Sequence, residues 1–92
     1  MQYEWDPKKA ESNHKKHGVS FVEATTVFLD PLAMTFDDPD HSTDEYRYIT
    51  VGASTAGRVL FVSIGERGET VRIISARCAT RREIHGYEEG EF

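Results

Sequence analysis

Cysteine occurs once in the 92 residues, at Cys78, so no internal disulfide is available and the fold must rest on packing and hydrogen bonds. Proline is scarce, with three, and Trp5 is the single tryptophan. No apolar run approaches the roughly 20 residues that cross a bilayer, and no secretory apolar core is visible, so a soluble, cytoplasmic protein without a membrane partner is expected. Nucleotide and hydrolase signatures are missing as well. There is no G-x-G-x-x-G, no P-loop and no G-x-S-x-G, which leaves dinucleotide binding, nucleotide phosphoryl transfer and serine hydrolysis without support. Metal-ligand spacing is weak. His14 and His17 are three apart on one helix, while Asp37, Asp38, Asp40 and His41 resemble a calcium loop that lacks its glycine and closing glutamate. No metal and no cofactor are expected.

An overall positive charge is absent too: the formal net charge is −5. A nucleic-acid partner wants the opposite sign. The acids, however, are unevenly placed. Asp37, Asp38, Asp40, Asp44 and Glu45 share one short segment, Glu88, Glu89 and Glu91 sit at the tail, and the remaining 8 acids face all 11 lysines and arginines. A basic face on an acidic protein is thereby allowed.

The densest information lies in Val71 to Tyr87, VRIISARCATRREIHGY. Its first half reads as a strand, where a period of two sets Val71, Ile73 and Ser75 on one face and Arg72, Ile74 and Ala76 on the other. Its second half reads as a helix. Thr80, followed three residues later by Glu83, forms a capping box, and Ile84 and Tyr87 are placed to pack on the sheet. Five of the seven arginines, Arg67, Arg72, Arg77, Arg81 and Arg82, fall here or in the turn before. Arg81 and Arg82 occupy the first helical turn, where the macrodipole disfavours a cation by a few tenths to about 1 kcal/mol. That placement asks for an anionic partner.

The rest of the chain supplies a scaffold for this stretch. Tyr3 and Trp5 alternate with Glu4 in a short edge strand, Asp6-Pro7 starts a helix as N-cap and first position, and Gly18 ends it. Lys15, Lys16 and His17 in its last turn serve either as capping cations or as ligands for an anion. Ser20 and Glu23 form a second capping box before a stripe of Phe21, Ala24, Val27 and Phe28, which Asp30-Pro31 closes. Leu32 to Phe36 reads as a strand leading into the acidic loop. Tyr46 to Gly52 and Arg58 to Ile64 read as a hairpin about a small-residue turn, and Glu66-Arg67-Gly68-Glu69 turns into the arginine strand. The order describes one α+β domain over residues 1–89, a four-stranded antiparallel sheet plus a short N-terminal strand, packed with two N-terminal helices and one C-terminal helix. Residues 90–92 are expected to fray. The expected core is Ile49, Val51, Leu60, Val62, Ile64 and Ile73, faced by Phe21, Val27, Phe28 and Ile84, with Cys78 as a small buried residue.

Arginines with scattered acids and histidines are the inventory of metal-free RNA cleavage, in which a 2′-hydroxyl attacks the adjacent phosphate and fixed cations stabilise the added charge. Arginine suits that role because its planar fork stays charged and grips two phosphate oxygens at once. Arg67 and Arg77 are the candidate clamps; Arg72, Arg81, Arg82 and Lys15 are candidate RNA contacts. The bland alternative is that Arg72 simply pairs with Glu66 or Glu69 on a solvated surface.

The segments YEWDPKKAESNHKKHGVSF, FLDPLA, DPDHS, EYRYITVG, ERGETVRIISAR and ATRRE, in this order, resemble the BrnT family of type II toxins, small ribonucleases of the RelE-like fold. The resemblance spans Tyr3 to about Glu89. It implies a cytoplasmic endoribonuclease that cuts RNA and arrests growth. A ribbon-helix-helix antitoxin of the BrnA type would neutralise it and carry the complex to promoter DNA, and a homodimer or a higher complex with the antitoxin is compatible. Residue by residue, it points to Lys16 and His17 in KHG, Glu66 and Arg67 in ERG, and Arg77 in ISAR as catalytic candidates. Many members carry histidine where this chain has Ile64, so either Glu66 or His17 supplies proton transfer, or the copy is slow, or the family histidine has no chemical role. The alternative is a catalytically weak RNA-binding or corepressor module acting through its antitoxin.

Overall fold

The computed structural model describes residues 2–38 and 45–92; Asp40, His41 and Asp44 of the acidic, calcium-like loop lie outside the described residues. Five strands form one sheet in the order β1-β5-β4-β3-β2: β1 (Gln2–Glu4), β2 (Met34–Asp37), β3 (Tyr46–Ala53), β4 (Val59–Arg67) and β5 (Thr70–Cys78). All neighbours are antiparallel except β1, which joins β5 in parallel at the edge. The helices are α1 (Pro7–His17), α2 (Phe21–Thr26), continued by a 3-10 turn over Val27–Leu29, and α3 (Arg81–Glu89). The expected α+β arrangement is thus present, with the short N-terminal strand built into the sheet.

Local chemistry fixes each boundary. Asp6 Oδ1 accepts the amides of Lys8 and Lys9 at 2.8 and 3.4 Å, and Gly18, at φ 69°, closes α1. Ser20 caps α2 through the Glu23 amide, but the second half of the expected box is missing. The Glu23 carboxylate turns instead to the Arg58 guanidinium at 2.7 and 2.8 Å and to the Ser54 hydroxyl. An ionised donor outcompetes a backbone N–H for a carboxylate. The Thr80 box is complete in both directions.

α1 and α2 cover one sheet face. Val19, Phe21, Ala24 and Val27 meet Leu60, Val62, Ile64, Val71, Ile73 and Ala76 in the main core. At about 25 cal/mol per Å² of apolar surface removed from water, this core is the principal source of stability. Asn13 ties α1 to the edge of β5, its side-chain amide exchanging two hydrogen bonds with the Ala76 backbone at 2.8 and 3.1 Å. α3 lies on the opposite face. Ile49 and Val51 belong there rather than in the main core, because their cross-strand partners are Ser63 and Phe61. Tyr87 donates its hydroxyl to Asp30 Oδ2, which also accepts the Ala53 amide, and so anchors α3.

The end of the chain and the position of Cys78 complete the fold, and the expectation of a buried Cys78 is corrected. Residues 90–92 are organised: Gly90 takes φ 73°, its amide and that of Glu91 return to Tyr87 and Gly86 carbonyls, and Phe92 meets Phe36 at 5.4 Å between ring centroids. This is a Schellman ending, which satisfies carbonyls that fraying would leave to water. Cys78 is exposed, as the last residue of β5, where its sulfur lies 3.7 Å from Arg58 Nη1.

Candidate functional site

The site-bearing face is set by an irregularity in β5. Ser63 pairs with Ser75, yet the next residue of β4, Ile64, pairs with Ile73, so β5 holds one extra residue at this point. The simple alternation expected from the sequence is therefore broken. Ala76 joins Val71 and Ile73 in the core, whereas Ser75 and Arg77 turn to the face of Arg72. Arg72 and Arg77, an odd number of residues apart, share a face only because of this bulge.

Arg72 and Arg47 flank Gly65 from the two neighbouring strands, and Arg67 lies two residues along β4 on the same face. The hairpin turn holds Arg67 in place. Arg67 pairs with Thr70 across a two-residue turn whose first position is Gly68 at φ 58°, the positive value that a II′ hairpin needs. Glu45, just ahead of β3, lays its carboxylate over Gly65. A Cβ on Gly65 would lie 2.7 Å from Glu45 Oε1 and 3.0 Å from Oε2, so only glycine leaves this space. One carboxylate oxygen accepts from Arg72 Nη2 and lies 4.0 Å from Arg47 Nε; the other lies 3.6 Å from Arg67 Nε. The Glu45 side chain is only 9% exposed, while Arg67 is 66% exposed and Arg72 30%. Polar atoms remain unmatched inside the cluster: Glu45 Oε2, Arg47 Nε and Arg72 Nε are buried without a hydrogen-bond partner.

Arg77 occupies the far end of the same face. It pairs with Phe61 on β4, four residues from Gly65 and so about 13 Å along the strand. Its guanidinium sits 4.0 Å from the Phe61 ring centroid and makes two parallel hydrogen bonds to Glu83, at 2.8 and 3.0 Å. Those bonds, opposed by burial and helped by the Thr80 amide, hold the Glu83 carboxyl below its usual range. Arg81 and Arg82 follow in the exposed first turn of α3.

The remaining candidates are elsewhere. Since β4 extends through Arg67, Glu66 faces the opposite side from Arg67, with Ile64 and the partly buried Tyr48. There a groove of about 410 Å³ is lined by Phe28, Tyr48, Ile64 and Glu66 among others. A side chain at position 64 belongs to that core face, not to the arginines. Lys15, Lys16 and His17 end α1 in the helix layer; Lys15 pairs with Glu11 at 3.1 Å, and the adjoining Gly18 carbonyl receives Arg58. Arg67 and Arg72 are therefore brought together, Arg77 shares their face at a distance, and Glu66, Lys15, Lys16 and His17 are not joined to them. Arg47 and Glu45 are additions. The alternation of EYRYITVG, which puts Arg47 opposite the tyrosines on either side, is the signal that could have found it; Glu45 looks like one more acid in an acidic loop. No group of three or more His, Cys, Asp or Glu side chains assembles among the described residues.

Fold and site together define a small α+β protein with one sheet face sheathed by two helices and the other presenting guanidinium groups around a carboxylate. The chain belongs to the family described as "Ribonuclease toxin, BrnT, of type II toxin-antitoxin system", whose model matches residues 5–83. It is similar to the crystal structure of the Brucella abortus ribonuclease toxin BrnT, with 24% identity and a TM-score of 0.68 over 88% of this chain and 99% of that chain. At that identity the likeness establishes the fold. A comparison with curated proteins finds no match. Membership makes this chain a ribonuclease toxin by family, with an RNA target and an antitoxin partner. Among the described residues no helix is long and apolar enough to cross a membrane.

Proposed function

We propose that this chain is a metal-independent endoribonuclease acting in the cytoplasm, which arrests growth by cutting RNA at the Arg47, Arg67 and Arg72 cluster. One observation carries the reading: three guanidiniums from three strands meet one carboxylate, that of Glu45, over Gly65, which makes this spot an anion seat that no side chain at position 65 fills. In the reaction, a ribose 2′-oxygen bonds to the adjacent phosphorus as the bond to the 5′-oxygen breaks. A 2′,3′-cyclic phosphate and a free 5′-hydroxyl result. The phosphorane-like transition state gains negative charge, and fixed guanidiniums in a partly desolvated site stabilise it without reorganising. Arg67, the most exposed of the three, is placed to meet substrate first. Arg77, braced by Glu83 and Phe61, together with Arg81 and Arg82, extends the cationic track toward α3 and positions neighbouring nucleotides.

A ribbon-helix-helix antitoxin of the BrnA type silences the enzyme by covering this face, and promoter DNA is engaged through that antitoxin. The test is expression of the chain alone under tight control, followed by growth and by mapping of cellular RNA ends. Growth arrest with new 2′,3′-cyclic ends is the expected result.

A second reading rests on Ile64, a buried core residue at the position where the family resemblance implies a histidine. Without an imidazole there, the chain acts mainly as an RNA-binding or corepressor module. Intact RNA under full expression, with the antitoxin complex still on its promoter, selects this reading.

A further inference from the structure

The arginine cluster offers more donors than its carboxylate uses. Glu45 presents two oxygens in one plane to three guanidiniums, and the fit is poor on both sides: Oε2 lacks a donor while Arg47 Nε and Arg72 Nε keep buried N–H groups without acceptors. A buried donor left without an acceptor is unfavourable, so a ligand that fills it gains affinity. A tetrahedral oxyanion, with acceptors directed out of one plane, matches converging guanidiniums better than a planar carboxylate does.

Glu45 is also poorly anchored compared with what surrounds it. The β3 ladder begins at Tyr46, so no strand pairing fixes the Glu45 backbone, and its carboxylate is held by the arginines over a glycine. Arg47, Arg67 and Arg72, by contrast, all stand on paired strands. In this cluster the cations stand on paired strands and the anion does not.

We propose that Glu45 is a resident anion in a phosphate subsite built by Arg47, Arg67 and Arg72, and that a substrate phosphate binds by displacing it. This rests on the ribonuclease reading for the identity of the phosphate, but the subsite is defined by its donors. Vacating the seat uncovers Arg47 Nε and Arg72 Nε, which the phosphate then fills. Until then the self-bound carboxylate holds the site closed and lowers apparent affinity by the fraction of molecules in which the seat is free.

The full-length chain and its Glu45→Gln and Glu45→Ala variants are titrated with an all-2′-deoxy oligonucleotide, which cannot undergo the reaction, and separately with inorganic phosphate. Removing the competing charge should tighten both by about tenfold or more. Gly65→Ala, whose Cβ would intrude on the seat itself, should weaken both the native carboxylate contact and oligonucleotide binding. Unchanged or weaker binding in folded Glu45→Gln and Glu45→Ala overturns the proposal and makes Glu45 a structural brace for the arginines. RNA cleavage by the wild-type chain is scored in parallel. Tighter binding by the variants without wild-type cleavage removes the ribonuclease reading and keeps the subsite; cleavage with unchanged variant binding removes the subsite alone.

Discussion

At the level of single residues, the proposed site rests on side chains that share one sheet face. Arg67→Ala or Arg72→Ala should lower the cleavage rate by about 100- to 1000-fold, the usual cost of removing one preorganised donor to a transition-state anion. Circular dichroism should show both variants folded, since Arg67 is mostly exposed. Arg77 should behave differently. Its guanidinium is already committed to Glu83 and the Phe61 ring, so Arg77→Ala should lose thermal stability as well as RNA affinity, which denaturation midpoints can separate. The sequence made Arg67 and Arg72 visible through their density. It hid Arg47 because one arginine among aromatic and β-branched residues reads as an ordinary surface position. Glu45 was hidden by its neighbours, since acid-rich segments are usually solvated.

At the level of elements, boundaries were legible wherever a local hydrogen bond decides them. Asp6-Pro7 and Thr80 with Glu83 need only their own backbone amides, and both caps form as the spacing implies. Ser20 with Glu23 has the same spacing, but Arg58, thirty-five residues away, takes the carboxylate. A remote cation is invisible to a four-residue motif. The β5 bulge was hidden for a related reason, since only pairing with β4 reveals the extra residue. Thr80→Ala should destabilise the chain by about 1 kcal/mol in chemical denaturation, as expected for loss of an N-cap hydroxyl. Tyr87 and Asp30 join α3 to the turn before β2, and this junction should titrate. Burial raises the Asp30 carboxyl, but hydrogen bonds from Tyr87, Ala53 and Leu32 outweigh it and leave it below its ordinary 3.8. Tyr87 is pushed up to about 12, first by its hydrogen bond to Asp30 and then by burial. The depressed carboxyl contributes stability that is complete above the unfolded value and is lost as pH falls through the lower folded value. The raised phenol contributes stability that is complete below about 10 and is lost as pH rises through about 12. Denaturation midpoints of wild type and Tyr87→Phe across pH should converge at the alkaline end.

At the level of the whole molecule, a net charge of −5 coexists with a sheet face on which Arg47, Arg67, Arg72 and Arg77 outnumber Glu45 and Glu83. The antitoxin that silences such a face should do so with acidic side chains, as Glu45 already does from within. Its affinity should then fall as salt rises, because charges separated by more than roughly 8–10 Å are screened at physiological ionic strength. A salt-independent affinity, untouched by Arg67→Ala and Arg72→Ala, would mean occlusion through an apolar surface instead. The central claim is that this arginine face cleaves RNA through the ribose 2′-hydroxyl without a metal. It is tested most directly by incubating the purified chain, in EDTA, with one oligonucleotide in RNA form and with the same sequence carrying 2′-deoxyribose throughout. Cleavage of the RNA alone, with 2′,3′-cyclic phosphate ends and loss of the reaction in Arg67→Ala, is the predicted result; cleavage of both strands, or cleavage that requires an added divalent ion, would contradict it.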